Sequence, residues 1–249
     1  MAGASERTED RSQDKLERTM KIVIINGQSH TGTTCHIARQ LAEKIGGDVT
    51  EFFLPRDFHD YCVGCMQCIL KDEKRCPHYE TLRPITEAMD AADVIILASP
   101  VYVYHVTGAM KTFLDHYGYR WLIHRPVESM FGKQAVSIST SAAAGEKSAC
   151  RDMADSLFFW GVGKTYRLGM HVFAHNWAGV SGKRKQAIDQ RTTRIAERIR
   201  SRKGHVKPSL KTKLYFCFVR LLQKKGISEV DKSYWTQKGW LGSARPWKS

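Results

Sequence analysis

Short apolar runs alternate with helical stripes along most of the chain. "KIVIING" (Lys21 to Gly27) is a β-branched run ending in Asn-Gly, which predicts a buried parallel strand reaching a turn. In "TTCHIARQLAEKIGG", Ile37, Leu41 and Ile45 recur every four residues. They make one apolar helix stripe, and Gly46-Gly47 stops it. "DVTEFFL" predicts a second strand, and a cysteine-bearing loop follows. A helix from about Tyr79 to Ala91 leads into "DVIILASP", a third buried strand. "TGAMKTFLDHYG" reads as helix, "KQAVSIST" as a fourth strand and "GEKSACRDMADSLFFWG" as helix. "KTYRLGMHV" is a fifth strand, and "GKRKQAIDQRTTRIAERIRSR" is a long basic amphipathic helix. After Pro208 the alternation breaks. "SLKTKLYFCFVRLLQKK" predicts one more helix, and "DKSYWTQKGWLGSARPWK" is aromatic-rich without a period.

Five strands alternating with helices predict an α/β fold with a doubly wound parallel sheet. Five strands, without a sixth, select the flavodoxin-like order 2-1-3-4-5, followed here by a C-terminal helical and aromatic extension. Ligands of such sheets bind outside the carboxyl ends of the strands, where strands 1 and 3 diverge. The expected organisation is a disordered N-terminal extension over 1–19, a flavodoxin-like domain over 20–203 and a basic C-terminal extension over 204–249. The N-terminus, "MAGASERTEDRSQDKLERT", is polar throughout and has no secretory signal pattern.

Charge changes this picture at one end. The formal net charge is +14, and residues 181–249 hold 19 of the 39 Lys and Arg but only 4 of the 25 Asp and Glu. Such a region suits an anionic partner, or it is only a solvated basic helix surface. No recognised nucleic-acid motif accompanies it, so nucleic acid is not the expected partner. No segment has the roughly 18–20 apolar residues of a membrane span. A cytoplasmic protein with reduced thiols is expected.

The chemistry gathers in the loops after strands 1, 3 and 4. "NGQSHTGTT" (Asn26 to Thr34) opens a helix, where free N–H groups and the helix dipole favour an anion. The lysine of a P-loop is missing, and so is G-x-G-x-x-G. Gln28, Ser29, Thr31, Thr33 and Thr34 are neutral donors, which suit the terminal phosphate of FMN, and His30 and Gly32 of the same loop join the candidate cofactor-binding residues. The alternative is an ordinary polar turn. "SPVYVYHVTGAMKTFLDH" places Pro100, Val101, Tyr102, Val103 and Tyr104 where flat rings and backbone N–H groups can meet a flavin ring. "STSAAAGE" brings Thr140 and small residues to the same edge. Cys62, Cys65, Cys68 and Cys76 lie within fifteen residues. Their spacing allows an iron–sulfur cluster, unligated thiols, zinc or redox thiols. Cys35, Cys150 and Cys217 fall in predicted helices and read as core.

These residues resemble the NAD(P)H-dependent FMN reductase family. "SPVYVYHVTGAMKTFLD" is similar to its second loop, S-P-V-Y-x-x-x-x-[ST]-x-x-[LM]-K-x-[FL]-[LI]-D. "NGQSHTGTT" is similar to its first loop, one residue shorter and with His30 in place of the usual arginine. The resemblance covers about residues 20–200. The ending "DKSYWTQKGWLGSARPW" resembles that of a flavin or quinone oxidoreductase subgroup. Cys62-x2-Cys65-x2-Cys68-x7-Cys76 resembles the motif of the iron–sulfur flavoprotein branch, at the upper limit of its spacing.

The resemblance implies an enzyme that takes hydride from NAD(P)H to FMN and passes electrons to a quinone, flavin or other small-molecule or protein acceptor. It also implies a [4Fe-4S] cluster on the four cysteines and a homodimer or homotetramer. A non-enzymatic flavodoxin-type electron carrier is the alternative, though such carriers are usually acidic. The C-terminal "YWTQKGW" is expected either to pack a subunit interface or to reach a neighbouring subunit's flavin.

Overall fold

A computed structural model describes residues 19–174 and 176–248. Residues 1–18 of the expected N-terminal extension lie outside the described residues.

Five strands form one parallel sheet in the order β2-β1-β3-β4-β5, as the alternation predicted. They are β1 (Lys21–Asn26), β2 (Asp48–Phe53), β3 (Val94–Ala98), β4 (Gln134–Ser141) and β5 (Lys164–His171). The helices are α1 (Thr33–Ile45), α2 (Gln67–Leu70), α3 (Tyr79–Ala91), α4 (Gly108–Asp115), α5 (Glu146–Phe159), α6 (Gly182–Arg200), α7 (Leu210–Lys225) and α8 (Glu229–Gln237).

Period two along each strand splits the core into two layers. Val23 and Ile25 of β1 pack with Leu82, Ile85, Met110, Phe113, Met153 and Leu157 of α3, α4 and α5. Ile22 and Ile24 pack on the other face with Ile37, Leu41 and Ile45 of α1 and Ile188, Ile195 and Ile199 of α6. The stripe read from the sequence of α1 is therefore its buried face. Gly46, at φ +76°, ends that helix, and its N–H returns to the Ala42 carbonyl.

A third layer was not visible as a pattern. Phe216 and Val219 of α7, Trp235 of α8 and Trp240 bury against Leu122 and Phe131 of the connection between α4 and β4. Trp235 Nε1 donates to the His124 carbonyl at 2.7 Å, and Tyr234 Oη donates to the Pro126 carbonyl at 2.7 Å. The aromatic ending thus closes on its own chain. This is at odds with the expectation that "YWTQKGW" reaches a neighbour's flavin or packs a subunit interface, because its two tryptophans are buried within the protomer. Cys217 is exposed on α7, contrary to the core reading, whereas Cys35 and Cys150 are buried. Burial pushes both of those thiols up to about 11, which leaves them inert at neutral pH. Among the described residues, no helix is long and apolar enough to cross a membrane.

Candidate functional site

At the carboxyl edge of the sheet, the three loops are tied to one another by hydrogen bonds. Gly27 N–H donates to the Ala98 carbonyl at 2.7 Å. Thr107 Oγ1 donates to the Gly27 carbonyl at 2.5 Å and also caps α4 by accepting from Met110 N–H at 3.1 Å. Val101 N–H donates to the Thr140 carbonyl at 2.9 Å, and the hydroxyls of Thr34 and Thr140 pair at 2.6 Å. Loop 1 has no room for a side chain here. A Cβ on Gly27 would stand 2.8 Å from Thr107 Oγ1 and 3.0 Å from Ser99 Oγ.

Together these loops enclose a cleft of about 300 Å³. Of the expected site residues, Gln28, His30, Gly32, Thr33, Thr34, Pro100, Val101, Tyr102 and Thr140 line it. Ser29, Val103 and Tyr104 do not line it; all three are exposed beside it. Ser141, Ala142, Val172 and Ala174 complete the wall. The last two were missed, although the exit of β5 lies on the same sheet edge as the other loops. A larger surface depression of about 480 Å³ runs along α8, past Glu229, Val230, Ser233, Tyr234 and Gln237. It lacks this convergence of loops.

The cleft fits an anion at its inner end. Helix α1 starts with Gly32 as its N-cap. No side chain caps it and no acidic residue sits in its first turn. Its first N–H groups therefore lack intrahelical partners, and the positive end of the dipole is unneutralised. Thr33 Oγ1 is buried beside them and has no hydrogen-bond partner among the described residues. A buried hydroxyl without a partner costs about 1–3 kcal/mol, a cost a bound phosphate oxygen would remove.

The second loop makes a tight turn. Tyr102 and His105 exchange backbone hydrogen bonds at 3.0 and 3.1 Å. Val103 and Tyr104 between them both have positive φ, +48° and +67°. Two-residue hairpins need this, but asparagine and glycine usually supply it, and a β-branched residue there is strained. The N–H groups of Val101 and Tyr102 are already engaged, by the carbonyls of Thr140 and His105. Of the amides expected to face a ring, those of Val103 and Tyr104 stand at the exposed tip of this turn. Val103 is 92% exposed, so its side chain has no packing to lose. Val103→Gly should raise the unfolding free energy by about 1 kcal/mol. Chemical denaturation of the two proteins measures this, and a loss of stability would contradict the strain.

The cysteine loop lies between β2 and α3. Cys62 and Cys65 are exposed, while Cys68 and Cys76 are half-buried. Gly64 at φ +66° and Met66 at φ +58° curl the chain between them. Burial, followed by the charges of the other three cysteines, pushes Cys68 up. Burial also raises Cys76, with Cys65 and Cys62 adding to it, so the four thiols share one neighbourhood. No three of these sulfurs lie within 4.8 Å of one another.

The far end of this loop is held by a residue that the sequence reading did not single out. Arg125 donates to the carbonyls of Ile69, at 3.0 Å, and of Cys68. Its charge is met by Asp231 of α8 at 2.5 Å.

Residues 20–185 match the family model described as NADPH-dependent FMN reductase. The chain is 29% identical over 206 residues to an iron-sulfur flavoprotein of Archaeoglobus fulgidus, covering 80% of this chain and 88% of that one. It is 25% identical over 193 residues to an iron-sulfur flavoprotein of Methanocaldococcus jannaschii, covering 74% and 94%. The solved structure of an NAD(P)H:quinone oxidoreductase from Methanothermobacter marburgensis shares the fold, with a TM-score of 0.53 and 15% identity over 72% of this chain and 98% of that one. With that match over most of the sheet, on a fold whose loops build this cleft, the chain belongs to the NADPH-dependent FMN reductase family of oxidoreductases.

Proposed function

We propose that this oxidoreductase binds FMN in the cleft between the first, second and third loops. In this reading it takes reducing equivalents from NAD(P)H and passes them to a quinone, a flavin or another acceptor, with a [4Fe-4S] cluster on Cys62, Cys65, Cys68 and Cys76. The observation that carries the FMN reading is the uncapped start of α1 beside the partnerless Thr33 hydroxyl. Bound FMN supplies the hydride-accepting and electron-transfer chemistry.

The chain's residues bind and orient. Thr33, Thr34, Gln28 and the first turn of α1 would hold the phosphate. Val103 and Tyr104 would present N–H groups to the ring, and Tyr102, at the cleft wall, would flank it. Gly145 keeps the third loop close to the second. The four thiols are the donor set for iron, and Arg125 fixes the end of their loop through two carbonyls. A homodimer or homotetramer is the proposed assembly. The exposed row Leu210, Leu214, Phe218 and Leu221 on α7 supports it, and light scattering that finds a monomer at micromolar protein would overturn it.

Two measurements test the reading. Protein purified without oxygen should show flavin bands plus a broad absorbance bleached by dithionite, and it should oxidise NAD(P)H with at least one quinone or flavin acceptor. Flavin content without any NAD(P)H turnover would instead identify an electron carrier. In Cys65→Ala, iron and sulfide should be lost with FMN retained. Iron retained at the wild-type level would rule out Cys65 as a ligand.

A further inference from the structure

A second donor set meets at Cys76, and it contains two imidazoles. His116 follows the last residue of α4. Its side chain is buried, and its ring stands edge-on to Phe58 with centroids 4.8 Å apart. Its Nδ1 lies 2.8 Å from the Thr112 carbonyl, which can only accept. Nδ1 therefore carries the proton, and in the neutral ring Nε2 presents a lone pair. Nε2 faces His78 Nδ1 at 3.0 Å. Cys76 completes the group: its sulfur and one nitrogen of each ring all lie within 4.8 Å of one another. The His78 backbone N–H points at the Cys76 sulfur. The charge of Asp60 reaches both Cys76 and His116, and its carboxylate is oriented by Thr81 Oγ1 at 3.0 Å.

We propose that Cys76, His78 and His116 form a zinc(II) site with one sulfur and two nitrogen ligands and a fourth position open to water. Two ring nitrogens at 3.0 Å need a proton or a cation between them. Zinc–nitrogen bonds of about 2.0 Å in a tetrahedron set the nitrogens about 3.3 Å apart, so the rings need move by only about 0.3 Å. The Thr112 carbonyl plays the part that backbone carbonyls play behind zinc-bound histidines: it fixes the tautomer and the ring plane. A thiolate with two imidazoles is a zinc-type donor set.

This site does not rest on the cluster reading, but it competes with the cluster for Cys76. Zinc fills it when the cysteine loop lacks iron. The structure thus gives Cys76 two possible metal partners, selected by metal supply.

The test uses the full-length Cys62→Ser/Cys65→Ser protein, which cannot hold a four-cysteine ion or cluster. It is loaded with FMN, stripped with chelator and titrated with Co(II), then with Zn(II). The expected result is one cobalt per chain, with a thiolate charge-transfer band and the intense visible bands of tetrahedral cobalt, both displaced by zinc. Adding His116→Gln should weaken cobalt binding at least tenfold and abolish the tetrahedral bands. Adding His78→Gln, a half-buried position, should do the same where the buried change impairs folding. Failure of the double-serine protein to bind cobalt would overturn the proposal. So would tetrahedral binding that survives both histidine changes. Neither outcome bears on iron in the wild-type loop, which the Cys65→Ala protein reports separately.

Discussion

Asp231→Ala should destabilise the protein by about 3–5 kcal/mol, among the largest effects of any single change. Asp231 is 1% exposed on α8. One carboxylate oxygen accepts from Arg125 Nη1 at 2.5 Å and the other from His124 Nδ1 at 2.8 Å. Arg125 is itself buried, so alanine would leave a guanidinium without its counter-ion in an apolar layer. The cost of the uncompensated charge, more than the lost bond, sets the size of the effect. For a chain of this length it corresponds to a fall in Tm of about 6–20 °C.

Asp231→Asn keeps one acceptor oxygen and the shape of the side chain, so its loss should be smaller. The ordering of the two variants separates charge from packing. Arg125 also holds the Cys68 and Ile69 carbonyls, so under the proposed cluster reading the alanine protein should release iron to a chelator faster than wild type. A loss below about 1 kcal/mol in Asp231→Ala would show that water reaches Arg125 and takes over the carboxylate's role.

This coupling explains what was and was not legible in the sequence. The central strands were legible because they are buried on both faces, so Ile22 to Ile25 and Val94 to Leu97 read as unbroken apolar runs bounded by turns. Helix α3 was legible for the same local reasons, with Leu82, Ile85 and Met89 on one face. The place of the first loop in the cleft was legible because it follows strand 1 and opens a helix, a position that does not depend on distant contacts.

The C-terminal layer has no such local code. Trp235 finds its partner in His124, and Gln223 donates to the Ile123 carbonyl at 2.6 Å. In each case the partner is at least a hundred residues away. The aromatic spacing there satisfies a surface built from α7, α8 and an irregular connection, so it follows neither period. The turn at Val103 and Tyr104 was hidden for the opposite reason: its residues have strand preferences, and the positive φ values are imposed by neighbours. Val172 and Ala174 were missed because they carry no functional group. They shape the cleft wall, next to a loop whose Trp177 stacks on His36 at 3.9 Å.

Gly145→Ala should raise the Kd for FMN at least tenfold while leaving the sheet folded. Gly145 sits at φ +98° as the N-cap of α5, a conformation that costs an L-residue about 1–2 kcal/mol. Space is the second constraint. A Cβ there would stand 2.7 Å from Val101 Cγ1, 2.8 Å from Tyr104 Cα and 3.1 Å from the Tyr104 carbonyl oxygen. Valine can change rotamer, but Tyr104 Cα is backbone, so the second loop must shift by several tenths of an ångström. That loop already holds two strained residues, and Thr107 and Val101 tie its two ends to Gly27 and Thr140. The Val103–Tyr104 turn therefore takes the displacement, and it carries the two N–H groups proposed to face the ring.

A tenfold loss of affinity is about 1.4 kcal/mol, less than the combined strain and overpacking. Fluorescence titration of apoprotein with FMN measures the change, and circular dichroism checks the fold. Removing the Tyr102 side chain provides the contrast. Tyr102→Ala leaves the turn backbone in place and should weaken FMN less than Gly145→Ala does, because its ring only flanks the cleft. The reverse order would mean that side-chain stacking, and not the position of the loop backbone, determines how tightly the cleft holds its flavin.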